Sequence, residues 1–246
     1  MLLLAACVAA AGAPSAAPVA AGDVTGAPPP APSLAAALTR IQNICFASYP
    51  PRLVERMSGR KGPVPEEVRT NPALQIRYFK TEEHVSKGLF YPSLLEDLLP
   101  AFAGTVAPGT RFLDLGSGDG RVVFMASLLG ARAEGVEYDR SLHRIALSAR
   151  DRLLGVIEPE RALLRRGDFF DEDLGPYDLF FYFEAGSSLE DRLLEKLRKE
   201  MKPTALLILA YPRGPVPGFV RIANHAGVEV LRPAPSSPAA EPVPSR

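Results

Sequence analysis

The chain of 246 residues carries 28 Lys and Arg against 28 Asp and Glu, a formal net charge of zero. No global field therefore draws it to nucleic acid or to an anionic membrane, and its specificity has to come from a local site. Two cysteines (Cys7, Cys45) exclude a disulfide framework, and three well-separated histidines (His84, His143, His225) lack zinc-site spacing.

Residues 1–33 are nearly all Ala, Pro, Gly and Val and read as an apolar leader followed by a disordered Ala/Pro-rich tether. The opening MLLLAACVAAAGAP is shorter than the roughly 20 apolar residues a membrane span requires, and it has no basic flank of the secretory kind. Leu4–Cys7, LAAC, resembles the lipobox of bacterial lipoproteins. A start further upstream would make Cys7 a lipidated first residue and its only route to a membrane; the other reading is a leader without function.

Leu34, Leu38, Ile41 and Cys45 fall at helical spacing behind Ser33, a natural N-cap, and predict an amphipathic helix over 34–47. The stretches YPPRLVERMSGRKGPVPEEV and NPALQIRYFKTEEHVSKG are broken by Pro and Gly. They extend this helical, irregular lead-in to residue 87. The basic excess from Arg52 to Lys61 reads as a solvated surface.

From residue 88 to 233 the pattern is regular. Leu94, Leu95, Leu98 and Leu99 mark a helix, and RFLDLG (111–116) is a short buried strand before a helix over 120–130. Further strands are expected at 131–139, 162–170, 177–183 and 205–212. Helices are expected from Ser141 to about Leu154 and over 187–201, the second capped by Ser187 or Ser188. GFVRIAN and GVEVLRP are suited to an antiparallel pair. Residues 234–246 form a Pro/Ser-rich tail. Alternating strands and helices predict an α/β, doubly wound, mostly parallel sheet of the seven-strand type, covered by helices on both faces.

In such a sheet, ligands lie beyond the carboxyl ends of the strands, beside the first strand-to-helix turn. Gly116, Gly118 and Gly120 sit on that turn, where a side chain would hold a ligand away from the main chain. Glu137 ends the second strand, about 20 residues beyond the first glycine, where an acid can accept from both ribose hydroxyls. Asp168 and Phe169 end the third strand and offer a carboxylate for an exocyclic amine and a ring for stacking. Taken singly, Glu137 is equally a cap for the next helix and Asp168 the start of a turn; it is their joint placement at strand ends that points to a ligand. A dinucleotide fingerprint would need Gly or Ala at position 121, which holds Arg121. Asp114 is ill placed for a pyrophosphate but well placed for a cationic group. The ligand read from these residues is an adenosine compound carrying positive charge.

DLGSGDG (114–120), GVEYD (135–139) and GDFF (167–170) resemble the cofactor motifs of class I S-adenosylmethionine-dependent methyltransferases, over roughly residues 88–212. LFYPS (89–93), DLGSGDGRVV and RRGDFFDEDL are most similar to the Dot1-like and mitochondrial protein lysine methyltransferases. The resemblance implies S-adenosyl-L-methionine as cofactor, with Tyr91 covering it and Asp114 facing its aminoacyl end. It implies that Gly116, Ser117, Gly118 and Gly120 line the main-chain approach, Glu137 holds the ribose, and Asp168 with Phe169 holds the adenine. The implied partner is a protein or small-molecule methyl acceptor.

FYFEAGS (181–187) departs from the Asn-Pro-Pro-Tyr of many amine-methylating relatives. Glu184 is either the group that guides or deprotonates the nucleophile or an acid at a helix entry. Tyr182 and Phe183 either wall the acceptor site or are core aromatics. A nicotinamide-dependent oxidoreductase and a cofactor-binding module without catalysis remain as alternative functions. Cofactor supply favours the cytosol, whereas lipidated Cys7 would give a membrane-anchored lipoprotein.

Overall fold

The computed structural model describes residues 32–79, 83–85, 88–183 and 190–235. Cys7, Glu184 and the expected caps Ser187 and Ser188 lie outside them. The lead-in begins with α1 (Leu34–Ala47), whose first turn is capped by the Ser33 hydroxyl accepting from Ala36 N. Short helices α2 (Pro51–Ser58), α3 (Glu66–Thr70) and α4 (Pro72–Tyr78) follow, each beginning at or just after a proline, as an N-terminal first turn tolerates.

Before the main domain the chain makes a hairpin of β1 (Glu83–Val85) and β2 (Gly88–Phe90), with Glu83 opposite Phe90. The expected irregular lead-in had no strand here. Three residues are too few to display a period-two pattern, so the hairpin leaves no periodic signature.

The remaining elements are α5 (Leu95–Ala103), β3 (Arg111–Leu115), α6 (Arg121–Leu128), β4 (Arg132–Glu137), α7 (Arg140–Arg152), β5 (Ala162–Arg166), β6 (Leu179–Phe183), α8 (Glu190–Glu200), β7 (Leu206–Ala210), β8 (Phe219–His225) and β9 (Val228–Pro233). The seven-stranded sheet has the order β5-β4-β3-β6-β7-β9-β8. Its first five strands are parallel, while β9 runs antiparallel to both β7 and β8. The expected third strand stops at Arg166, and Phe169–Asp171 form a 3₁₀ turn. The Asp168 carboxylate accepts from Phe170 N and starts that turn, so the strand cannot continue through it.

The strands are buried because helices cover both faces. On one face Phe112, Phe181 and Ile208 pack with Leu38, Ile41 and Cys45 of α1, Phe102 of α5 and Phe124 of α6. On the other, Leu113, Phe180, Leu207 and Leu209 meet Leu193, Leu194 and Leu197 of α8. A third cluster, with Phe46, Tyr49, Met57, Phe79 and Phe90, joins the lead-in to Leu142 and Ile145 of α7. Buried Gln42 of α1 also caps α5, accepting from Leu95 N at 2.9 Å and donating to the Glu96 carboxylate at 2.8 and 3.0 Å. The lead-in is thus packed onto the sheet rather than strung before it.

Candidate functional site

The carboxyl ends of β3, β4 and β6 open into a cavity of about 690 Å³, within the range of small-molecule and cofactor sites. Its wall includes Asp114 and Gly116 from β3 and the turn after it, Glu137 from β4, Asp168 and Phe169 beyond β5, and Phe183 from β6. Tyr91, Ser117, Gly118 and Tyr182 line it too. The described part of the expected site is therefore assembled, with one exception.

That exception is Gly120, which is not on the cavity. A Cβ there would fall 2.9 Å from Phe124 Cζ and 3.2 Å from the Ala146 Cβ, so this glycine lets the first turn of α6 pack. Gly118, at φ 54°, is similarly constrained: its Cβ would lie 2.8 Å from Phe90 Cε2. Only at Gly116 (φ 89°), among the three, would a Cβ meet nothing within 4 Å. Its bare backbone faces open space, which is what close approach by a ligand requires. Gly135 of β4 plays a related part that no local pattern suggests. A Cβ there would fall 2.6 Å from Ser117 Cβ, so its absence lets the loop settle on the strand.

Glu137 fixes the loop from the side. Its carboxylate accepts from Gly118 N at 2.8 Å and from Asp139 N at 2.6 Å, and it is only 6% exposed. Burial raises its pKa, although these two main-chain donors work against the rise. Each oxygen keeps acceptor capacity toward the cavity.

Asp114 is 2% exposed, and among the described residues none donates a hydrogen bond to its carboxylate. Burial first, then the Glu137 and Asp119 carboxylates, push its pKa well above the usual range. A buried acid without a donor is costly, and it favours either a proton or a cation from a ligand.

Asp119, also in the glycine loop and on the cavity wall, holds its carboxylate in a buried network. The Arg121 guanidinium donates to it at 2.7 to 3.1 Å, and Tyr49 OH donates to its Oδ2 at 2.5 Å. Arg121 donates in addition to Tyr49 OH at 2.9 Å and to Ser93 O at 3.0 Å. Burial opposes the Arg121 charge, but the Asp119 carboxylate outweighs it and holds the pKa above the ordinary value. The side chain that departs from the dinucleotide fingerprint thereby clamps the loop to the lead-in.

Aromatic rings close the remaining sides. Phe169 and Phe170 lie 4.7 Å apart, with the Arg192 guanidinium 4.1 Å above the Phe170 ring. Tyr91 stacks on Phe183 with centroids 5.7 Å apart and an interplanar angle of 21°. Tyr182, 7% exposed, packs in the core and touches the Phe169 ring edge-on at 6.4 Å, so it is both core aromatic and cavity wall. Two residues here escape sequence reasoning: Arg192, which reads as a solvated helix residue, and Tyr211 after β7. Tyr211 packs against Phe183 at 5.7 Å and has φ 58°, a conformation that costs a non-glycine residue about 1–2 kcal/mol. Burial first, then Asp97 and Tyr91 nearby, raise its pKa.

Comparison with known proteins agrees with this architecture. The chain is 35% identical over 100 residues to a Caenorhabditis elegans lysine N-methyltransferase named for an ATP synthase subunit, a match covering 41% of this chain and 50% of that protein. The matched segment thus spans half of its curated relative. A solved mutant of MtNAS overlays with a TM-score of 0.51 at 15% identity, over 82% of this chain and 76% of the other. An RNA methyltransferase from Salinibacter ruber, solved with S-adenosyl-L-homocysteine, has a TM-score of 0.47 at 20% identity, over 61% of this chain and 97% of the other. No protein-family model matches the chain. Counted from β3 as the first, the strands run 3-2-1-4-5-7-6, and the protein has the class I, Rossmann-like methyltransferase fold.

Proposed function

We propose that this protein is an S-adenosylmethionine-dependent methyltransferase that modifies a nitrogen nucleophile, with a protein lysine as the acceptor. The observation that carries this reading is the pairing of Asp114, a buried carboxylate with no described donor, with Gly116, whose bare backbone opens on the same cavity. A cation and a close main-chain contact are wanted at one place, and the aminoacyl end of S-adenosylmethionine offers both.

The residues suit the rest of that compound. Glu137 has acceptor capacity for ribose hydroxyls, and Asp168 with Phe169 presents a carboxylate and a ring to an adenine. When bound, the cofactor supplies a methyl group already activated on a sulfonium sulfur. The chain's own task is then to align the nucleophile and exclude water, and alignment alone is worth on the order of 7–11 kcal/mol of barrier. Apolar, buried Phe181 on the cavity wall favours the neutral, nucleophilic form of an amine that has passed inward. Glu184 is our proposed acceptor for the proton the amine gives up, and we place the reaction in the cytosol, where the cofactor is made.

The lysine reading draws its support from the curated relative, whose name states that chemistry. Incubating purified protein with lysate and tritiated cofactor, followed by total acid hydrolysis, tests it. Label in methylated lysine is the expected result. Label confined to another amino acid or to nucleic acid overturns the choice of acceptor.

A further inference from the structure

Resting on that methyltransferase reading, we propose that Tyr211, with Tyr91 and Phe183, forms a binding site for a cationic alkylammonium group at the mouth of the cavity, and that this site selects the acceptor.

Register places the site. Phe183 pairs with Ala210 across β6 and β7, so Tyr211 leaves the sheet one residue beyond that pair, at the carboxyl edge where ligands bind. Tyr91, Phe183 and Tyr211 form a continuous chain of rings, with centroids 5.7 Å apart at both steps. Tyr91 and Phe183 line the cavity, and Tyr211 carries the aromatic surface outward from it.

Stability does not account for Tyr211. Its backbone is left-handed at φ 58°, where glycine is the ordinary occupant, and yet the residue is 43% exposed. The strain is held in place by Tyr211 N donating to Gly227 O at 2.8 Å and by Gly227 itself, where a Cβ would fall 3.0 Å from the tyrosine ring. Backbone strain maintained around a half-exposed side chain at a cavity mouth is a mark of function. Tyr91 is likewise 37% exposed, so both tyrosines can be reached from solvent.

The chemistry of the occupant follows from charge. Aromatic faces attract cations through their quadrupole, and methylated ammonium groups are well suited to them. Asp97, exposed on α5, acts electrostatically on the Tyr211 phenol and adds negative potential to the same side. A protonated or methylated lysine side chain fits these walls, whereas a neutral alkyl group of equal size gains only the apolar contact.

Choline and its neutral isostere 3,3-dimethylbutan-1-ol serve as probes, titrated into the full chain and followed through the tyrosine ring resonances. The wild-type protein should bind choline about five- to tenfold more tightly than the isostere. Tyr211→Phe should keep this preference, Tyr211→Gly should abolish it, and Asp97→Asn should reduce it. Tyr91→Leu leaves the strained backbone untouched and should also reduce it, which covers the case of a misfolded glycine variant. Equal affinity for the two probes in the wild-type protein, or a preference unchanged in both Tyr211→Gly and Tyr91→Leu, overturns the site. A parallel titration with S-adenosylmethionine distinguishes the failures: absent cofactor binding refutes the methyltransferase reading, while the probe preference reports on the ring site alone.

Discussion

Glu137 at the end of β4 holds the main-chain N–H of Gly118 at 2.8 Å, so the acid expected to bind the ribose also shapes the glycine loop. Removing it should damage both functions. Glu137→Ala leaves the buried Gly118 N–H without its acceptor, at a cost of about 1–3 kcal/mol, and the part-buried Asp139 N–H loses its acceptor too. We expect S-adenosylmethionine affinity to fall at least about tenfold by calorimetry, with an accompanying loss of thermal stability.

Asp114→Asn should behave in the opposite way toward stability. The Asp114 carboxyl has a folded-state pKa raised above its unfolded value, so its contribution is most favourable at low pH and is lost as pH rises toward the raised pKa. At a pH above the ordinary carboxylate range the buried acid is a burden to the empty protein, whether it ionises or takes up a proton. The amide should raise Tm by about 2–4 °C for each kcal/mol relieved while sharply weakening cofactor binding. Thermal melts with and without S-adenosylmethionine check both halves.

The same shift sets a pH dependence for binding. A cation favours ionised Asp114, so affinity should fall as pH drops through its raised pKa, and binding in that range should release a proton. Calorimetry in two buffers of different ionisation enthalpy measures the proton. The Asp114→Asn protein should show a flatter profile.

The buried Tyr49–Asp119–Arg121 network predicts a graded response. Tyr49→Phe removes one donor from Asp119 and should cost about 1–3 kcal/mol. Asp119→Ala leaves the 2% exposed Arg121 without its counter-charge and should cost about 3–5 kcal/mol. Urea unfolding of both single variants and the double variant yields their coupling. An additive result contradicts a shared network.

The readable parts of the sequence are those with a period or a motif. Strand β3 and its glycines, the alternation of strands and helices, and the antiparallel β8–β9 pair all have local patterns that burial enforces. Glu137 is legible because it ends a strand, and Asp168 because it follows one closely enough to reach the same cavity. The clamp on the glycine loop is not, since Tyr49 lies 70 residues from Asp119 and 72 from Arg121 and no local spacing encodes their meeting. Gly120 reads as a ligand contact because a ligand and a packed ring both require a missing Cβ, and only the three-dimensional neighbours separate the two. Tyr211 carries no signal, because a left-handed tyrosine is imposed by its surroundings rather than by its own preference.

Titration of the purified chain with S-adenosylmethionine and, separately, with a nicotinamide dinucleotide is the most direct test of a cavity built for a cationic adenosine compound. Saturable heat at one site per chain with the first, diminished in Asp114→Asn, and none with the second is the expected result. Tight dinucleotide binding with no response to S-adenosylmethionine would contradict it.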